Sequence, residues 1–466
     1  MRQRTVKLTE GPPFLQIFRF ALPLMFSSMF QQIYTFADTV IVGQKLGMAA
    51  LAALGGTEWL TFLVFGAIQG MTGGFGIIIA RFFGAQDGSG VRRSVRSAGI
   101  LSAVWAFLFL VTGELAIGFL LGLLRTPREA YAMAALYLRW IYGGIPVTFV
   151  FWTEAAILRA FGDSITPFLA TALSCACNVF LDLWFVAGMG WGISGAAAAT
   201  LASQFFSACF AHIRRKHLQK EFEKGQEEAF GFDRKAADDC PDLENPVEKD
   251  RQALFLVMKE QLCLGLPLAL QSMITAAGGL AVQSAVNGFG IVFVAGYTAA
   301  NKLYGLLETA ASAYGHATSA FVSQNLGAHK PGRIRQGMRA AICLGVLTAA
   351  LMSAVMLLAG RAVLLCFLTG DAETLHRSLM IGEQFLRVLS VFFGLLYLLY
   401  ILRAGVLGMG NGWIPMLSGL VQMLMRVICA FLLTRYIGYT GLFWGEIAAW
   451  LCADALLCVT WHILTR

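Results

Sequence analysis

Apolar stretches separated by short polar segments follow one another along almost the whole chain. Each stretch reaches or exceeds about 20 residues, the length of an α-helix that crosses a bilayer. None shows the ten-residue alternation of apolar and polar positions that is typical of membrane β-barrels. The pattern predicts an all-α integral membrane protein with twelve transmembrane helices, at residues 14–42, 49–80, 95–121, 131–154, 164–188, 190–213, 254–287, 291–323, 338–368, 379–402, 413–435 and 440–463.

One segment, residues 214–252, differs sharply from these stretches. It carries eleven of the 27 acidic residues together with many lysines and arginines, which is the composition of a solvated connector. We therefore divide the chain into an amino-terminal lobe at 1–213 with helices 1–6, a cytoplasmic linker at 214–252, and a carboxyl-terminal lobe at 253–466 with helices 7–12.

The basic residues predict the orientation, because lysine and arginine collect on the cytoplasmic side of membrane proteins. The two chain ends and the loops after even-numbered helices, counted with the adjoining helix ends, hold 25 of the 35 basic residues; the opposite loops, counted in the same way, hold 8, and Lys302 and Arg426 fall in the middle of helices. We expect a multi-pass protein of the plasma membrane with both termini in the cytoplasm. The net charge of +8 follows from this topology, so we expect no nucleic-acid partner.

Composition supports the same class of protein. Hydrophobic residues make up 58% and charged residues 13% of the chain, against about 45–50% and 25% in soluble domains, which excludes a soluble enzyme. Nine of the ten cysteines, all but Cys240, lie in apolar stretches. A free thiol behaves there as a small hydrophobic group, so we expect neither disulfides nor a cysteine metal site.

The two halves of the chain repeat. Gly84-Ala85 recurs as Gly327-Ala328 at an offset of 243 residues, and the run 162–167 recurs at 410–415 at an offset of 248. Six helices repeated after an even number of spans give two halves of the same orientation. This architecture is typical of secondary transporters, which bind their cargo inside or between such halves.

Several motifs resemble those of the multidrug and toxic compound extrusion (MATE) transporters. The matching residues are Pro23, Tyr34, Asp38, Gly43 and Leu46-Gly47 in helix 1, the run from Arg159 to Pro167, and Ser323-Gln324-Asn325 with Gly327-Ala328 after helix 8. The resemblance covers nearly the whole chain from about residue 14 onward, apart from the linker. It implies two pseudo-symmetric six-helix lobes that exchange H⁺ or Na⁺ for small organic, often cationic, compounds.

The resemblance also implies a cation-coupling site in the amino-terminal lobe, as in one prokaryotic branch of the family. All four residues of that site are present, as Asp38, Asn178, Asp182 and Thr200. Carboxylate, amide and hydroxyl oxygens suit Na⁺, whereas two close carboxylates in a low dielectric suit H⁺, because they do not both ionise cheaply. The residue types leave the ion open.

The internal repeat indicates that the fold does not require these polar residues. Asp182 corresponds to Ala430 and Asn178 to Arg426, so the second half keeps the scaffold without the carboxylate. A charge at the centre of a span costs at least about 2.5–3.5 kcal/mol on the insertion scale. We therefore predict that Asp38 and Asp182 serve ion coupling rather than folding.

Helix 1 contains two further candidates. Pro23 removes a backbone hydrogen bond within the helix, which indicates either a moving hinge or a static bend. Tyr34 lies four residues before Asp38 and shares its helix face, so it is predicted to line the cavity.

Glu308, His316 and Arg426 form a candidate polar site in the second lobe. Two interpretations of Glu308 stay open, an ion pair with Arg426 and a binding site for a cationic substrate. His316, two turns from Glu308, is a candidate proton relay.

The leading hypothesis is a secondary active antiporter that exports small organic, cationic or amphipathic compounds by alternating access. The alternative is a flippase for lipid-linked intermediates on a related fold. The sequence contains no nucleophile–base constellation, Walker loop or dinucleotide fingerprint, so we expect neither an enzyme nor any cofactor besides the coupling ion. The expected partners are the lipid bilayer and small organic substrates, and we expect a monomer.

Overall fold

The computed structural model describes residues 6–123, 126–230, 246–368 and 371–465, and this part of the chain is helical without a β-strand. The predicted all-α fold is therefore confirmed. The helices are α1 (Pro13–Leu46), α2 (Met48–Gly84), α3 (Gly88–Leu123), α4 (Arg128–Gly143), α5 (Ile145–Ala160), α6 (Ile165–Asp182), α7 (Gly192–Phe230), α8 (Pro246–Asn287), α9 (Ile291–Gly327), α10 (Pro331–Phe367), α11 (Ala372–Gly408), α12 (Trp413–Ile428), α13 (Thr434–Ile437) and α14 (Thr440–Thr465), with π-helical turns at Leu183–Gly188 and Cys429–Leu433.

These helices provide twelve spans, six before and six after residues 231–245. Ten segments are individually long and apolar enough to cross a bilayer, and α4 with α5 passes as one bent span. α9 is the twelfth span at 37 residues. Its hydropathy is lowered by polar residues that include Lys302 and Glu308.

Several helices extend beyond the predicted spans. α7 continues to Phe230 and α8 begins at Pro246, so most of the predicted linker at 214–252 is helical, and residues 231–245 lie outside the described residues. Phe222 anchors the α7 extension, because its ring packs against those of Phe83 and Phe161 at centroid distances of 4.8 and 6.5 Å. The lobe boundaries at 1–213, 214–252 and 253–466 stay a prediction.

The fourth span is broken where the sequence predicted one helix at 131–154. α4 and α5 meet at an angle of 48° on either side of Gly144. Pro146 lies in the first turn of α5, where its missing N–H costs no hydrogen bond. A Cβ on Gly144 would lie 1.9 Å from a methyl carbon of Leu201, so a larger residue here would force that side chain of α7 to move.

The fifth and eleventh spans change from α- to π-helix at corresponding places. α6 ends at Asp182 and continues as Leu183–Gly188, and α12 ends at Ile428 and continues as Cys429–Leu433. π-Helical turns are rare and are frequent at functional sites. Asp182 and its counterpart Ala430 therefore lie at the same feature of the repeated scaffold.

The chain forms two compact units. Unit A consists of Phe30–Ala269 with the segments through Thr9 and at Ser323–Lys330; unit B consists of Glu10–Met29, Leu270–Val322 and Pro331–Arg466. α1 passes from unit B to unit A at Phe30, and α8 passes from unit A to unit B at Leu270. The first helix of each half is thus shared between the units. Large aromatic residues fill both cores, Phe75 and Phe149 in unit A and Tyr397 and Trp450 in unit B.

Candidate functional site

The four residues predicted to couple a cation come together inside unit A. α1 carries Asp38, α6 carries Asn178 and Asp182, and α7 carries Thr200. All four are buried, with exposed fractions of 6% for Asp38, 1% for Asn178, 0% for Asp182 and 6% for Thr200. Three helices that are distant in sequence therefore contribute polar side chains to one buried place.

Some polar atoms of this cluster are hydrogen-bonded to the protein, and others are not. The Asn178 amide nitrogen donates to the Thr200 hydroxyl at 3.4 Å, and that hydroxyl donates to the Ala196 carbonyl at 3.1 Å. Four buried oxygens of this cluster have no hydrogen-bond partner among the described residues: one of Asp38, the amide oxygen of Asn178 and both of Asp182. Buried polar groups normally have hydrogen-bond partners, so these oxygens are available to bind a positively charged ligand.

The two carboxylates belong to one electrostatic cluster. Asp38 and Asp182 interact with each other, and both interact with Tyr34. Tyr137, 8% exposed on α4, interacts with the same three groups. Tyr137 was not predicted from the sequence, because a tyrosine in an apolar span carries no local signal of such a contact.

An apolar cluster covers one side of the site. Val42, Val186 and Ala196 are buried together with Ala50, and the first three lie four residues from Asp38, Asp182 and Thr200 respectively, one helical turn away. Side chains of this kind keep water out and lower the local dielectric, which strengthens charge interactions. A cation at the carboxylates would therefore be held in an environment sealed on that side.

The donor set fits a monovalent cation. The site offers two carboxylates, an amide oxygen and a hydroxyl, all hard oxygen ligands. It contains no group of three or more histidine, cysteine or acidic side chains suited to a transition metal, and none occurs elsewhere in the described segments. Neither carboxylate forms an ion pair in this part of the chain, so a bound proton or Na⁺ would reduce an uncompensated negative charge.

The two predicted residues of helix 1, Pro23 and Tyr34, lie on either side of Phe30, where α1 passes from unit B to unit A. α1 runs as one helix through Pro23, which belongs to unit B, while Tyr34 belongs to unit A. Within unit A, the Cys175 thiol of α6 donates to the Phe30 carbonyl at 3.1 Å. A moving hinge at Pro23 stays a prediction.

In the second half, Glu308 and Arg426 interact electrostatically, but each has a different direct partner, so the two interpretations of Glu308 stay predictions. Arg426 pairs with Glu446 at 2.7 Å, and Glu308 accepts from the Tyr400 hydroxyl at 2.9 Å. No sequence pattern points to Glu446 as this partner, because twenty residues separate it from Arg426. His316 is half-buried on α9, and its proposed relay role stays a prediction.

Arg403 is a half-buried cation at a position predicted to lie outside the membrane. The predicted span ended at 402, whereas α11 continues to Gly408. The guanidinium donates to Ser418 at 3.1 Å and to Gln422 at 2.9 Å. Those acceptors lie on another helix, so the sequence around Arg403 does not reveal them.

Comparisons with known proteins identify the family. The MatE family model matches residues 23–184 and 267–432, one segment in each half. The probable multidrug resistance protein YpnP of Bacillus subtilis (strain 168) is 27% identical over 456 residues, which are 95% of this chain and 90% of that protein. The probable multidrug resistance protein YoeA of the same strain is 26% identical over 371 residues, 78% of this chain and 75% of that protein.

The fold comparison agrees. A solved outward-facing conformation of a multidrug resistance MATE family transporter of the MOP superfamily matches with a TM-score of 0.83 and 23% identity, over 100% of this chain and 98% of that one. This likeness confirms the predicted fold of twelve helices in two six-helix halves. The chain belongs to the MatE family, whose members are membrane transporters and not enzymes.

Proposed function

We propose that this transporter exports small organic compounds, cationic or amphipathic, in exchange for H⁺ or Na⁺ by alternating access. The observation that carries the proposal is the set of four buried oxygens on Asp38, Asn178 and Asp182 that have no hydrogen-bond partner among the described residues. A buried carboxylate is costly without a compensating charge, and a cation from solution supplies that charge reversibly.

Coupling follows if ion and cargo favour different states of the protein. A ligand shifts a conformational equilibrium only by its difference in affinity between the states. A cation bound at Asp38 neutralises a carboxylate on α1, the helix that is shared between the two units. An ion bound at Asp38 would therefore act on a helix that runs through both units, and Pro23 is where that helix lacks a backbone hydrogen bond.

Two similar proteins are named as multidrug resistance proteins, which supports small organic molecules as cargo. A flippase for lipid-linked pyrophosphates would need cationic side chains for its cargo. The oxygens of Asp38 and Asp182 that lack a partner among the described residues belong to acidic side chains, which favours cationic cargo and the antiporter over this alternative.

The excess of basic residues at the ends of the chain and in alternate loops supports an orientation with both termini in the cytoplasm of a plasma-membrane protein. We propose that it acts as a monomer, because each compact unit already contains its own polar groups. Labelling of a cysteine introduced at Lys220, in a background without other cysteines, tests the orientation. Reaction with an impermeant reagent added outside intact cells would contradict it.

The function is tested by efflux of a cationic dye from proteoliposomes, with the proton gradient and the sodium gradient applied separately. We expect one gradient to drive efflux by the wild type. Asp38→Asn and Asp182→Asn should each reduce that efflux to the rate of empty liposomes, whereas Glu129→Gln, the same change at an exposed position of α4, should not. Wild-type efflux in either aspartate variant would refute the proposed site.

A further inference from the structure

Unit B contains a buried carboxylate that neither the antiport site nor the ion pairs use. Asp454 on α14 is 5% exposed, and within the described part of the chain neither of its oxygens has a hydrogen-bond partner. Arg403 of α11 is close enough to interact with it electrostatically. A cation and an unpartnered carboxylate are thus neighbours without being bonded.

The Arg403 guanidinium is bound to neutral groups instead. It donates to the Ser418 hydroxyl and the Gln422 amide oxygen on α12. The amide of Gln271 on α8, in the orientation that satisfies both groups, accepts from Nη1 at 2.9 Å. Gly419 makes room for this side chain, since a Cβ there would lie 2.8 Å from Cγ of Gln271.

Besides Asp454, Arg403 interacts with two charged groups that already have other partners, Arg426 and Glu308. α12 contributes Arg426, which pairs with Glu446 of α14 itself. α9 contributes Glu308, which accepts from Tyr400 of α11. On its own helix Asp454 faces the Cys458 thiol. Arg403 is therefore the cation available to Asp454.

We propose that Asp454 is a proton-binding site of unit B, and that its protonation decides whether Arg403 bonds to Gln271. When the carboxyl is protonated it needs no cation, and Arg403 stays on its neutral acceptors, as the structure has it. When the proton leaves for water, the carboxylate draws Arg403 towards α14 and away from α8. Arg403 keeps its own proton throughout, so one proton is exchanged for each change of partner.

A proton fits this place better than Na⁺. Sodium requires several oxygen ligands, and Asp454 offers two while a guanidinium stands beside it. A second cation next to Arg403 would be repelled at short range in a low dielectric. Protonation instead removes the charge with no further ligand.

The connection reaches α8 one turn beyond Pro267. By the internal repeat, Pro267 corresponds to Pro23, and both prolines leave a backbone carbonyl without its helical partner. Release of Gln271 frees α8 at this weakened turn. This inference goes beyond the proposed function and does not require it, because it uses none of the residues of the unit A site.

Infrared difference spectra of the purified protein between high and low pH test the proposal, since a protonated carboxyl has its own C=O band. Asp454→Asn should lose one band component that Asp182→Asn retains. Gln271→Leu keeps the carboxyl but removes an acceptor of Arg403, so protonation of Asp454 should require at least a tenfold higher proton concentration. Gln283→Leu, at another site of α8, is the matched control and should leave the titration unchanged.

A carboxyl band that is unaltered in Asp454→Asn would overturn the proposal. An unshifted titration in Gln271→Leu would overturn the exchange of partners, and this test does not depend on the folding of Asp454→Asn. Loss of coupled efflux in Asp182→Asn bears on the unit A site alone, so failure of one proposal is distinguishable from failure of the other.

Discussion

Replacement of Asp182 by asparagine should make the ion-free protein more stable while it removes ion binding. The side chain is fully buried, and within the described residues its two oxygens lack hydrogen-bond donors. A charge in the middle of a span costs at least about 2.5–3.5 kcal/mol, and the amide removes that charge at nearly constant volume. We therefore expect Asp182→Asn to raise the free energy of unfolding by about 3 kcal/mol without the ion.

The ion should reverse this difference in the wild type. A ligand that binds the folded state alone adds about 2.7 kcal/mol at a concentration 100 times its Kd. At saturating ion the two proteins should then have similar free energies of unfolding. Ion binding stabilises the wild type by about as much as removal of the charge stabilises the variant. The effect of Asp38→Asn in the Asp182→Asn background should be smaller than in the wild type, since the two groups interact.

Thermal unfolding in detergent, followed over a Na⁺ titration and separately over pH, measures both quantities. The exposed change Glu129→Gln should follow the wild type throughout. A variant that is less stable than the wild type without ion, or that is still stabilised by the ion to the same extent, would show that Asp182 is a structural hydrogen-bonding group.

Three further changes test other parts of the structure. Glu446→Gln leaves Arg426 without its partner and should lower the free energy of unfolding by about 3 kcal/mol, whereas combining Arg426→Met with Glu446→Leu should recover most of it in the same unfolding assay. Gly84→Ala places a Cβ 2.0 Å from a backbone oxygen of α9 and should cost about 1–3 kcal/mol, while Gly122→Ala, with open space around it, should not change the thermal midpoint. Pro23→Ala restores a backbone hydrogen bond in α1, so ion-dependent stabilisation should persist while dye efflux slows; unchanged efflux would contradict a hinge there.

The number and type of spans follow from the sequence because the bilayer imposes them. Every backbone polar group in hydrocarbon must be satisfied within its own segment, so a long apolar run has few alternatives to a helix. The broken fourth span was missed because its cause is partly tertiary. Gly144 packs against Leu201, and a contact over 57 residues leaves no pattern near Gly144.

Polar groups could be predicted from the sequence where the two halves of the repeat differ. They could not be predicted where their position depends on contacts with residues distant in sequence. Asp182 stands out because its counterpart Ala430 shows that the π-helical turn forms without a carboxylate. Arg403 does not stand out, because hydropathy falls at the arginine itself and the span was ended there. Its place inside the helix bundle depends on hydrogen bonds to Ser418 and Gln422, which only the folded chain brings to it.

The distribution of buried charge has an electrical consequence. Exchange of one monovalent cation for one monovalent cationic cargo moves no net charge, so the membrane potential would not affect export. A second proton carried by Asp454 would make each cycle move one net charge, worth about 2.3 kcal/mol per 100 mV. We expect a membrane potential to drive export by the wild type at zero ion gradient, and to have no effect in Asp454→Asn. This result would show that the proton site of unit B takes part in the transport cycle. If export by the wild type does not depend on the potential, Asp454 is a switch that is not part of the ion stoichiometry.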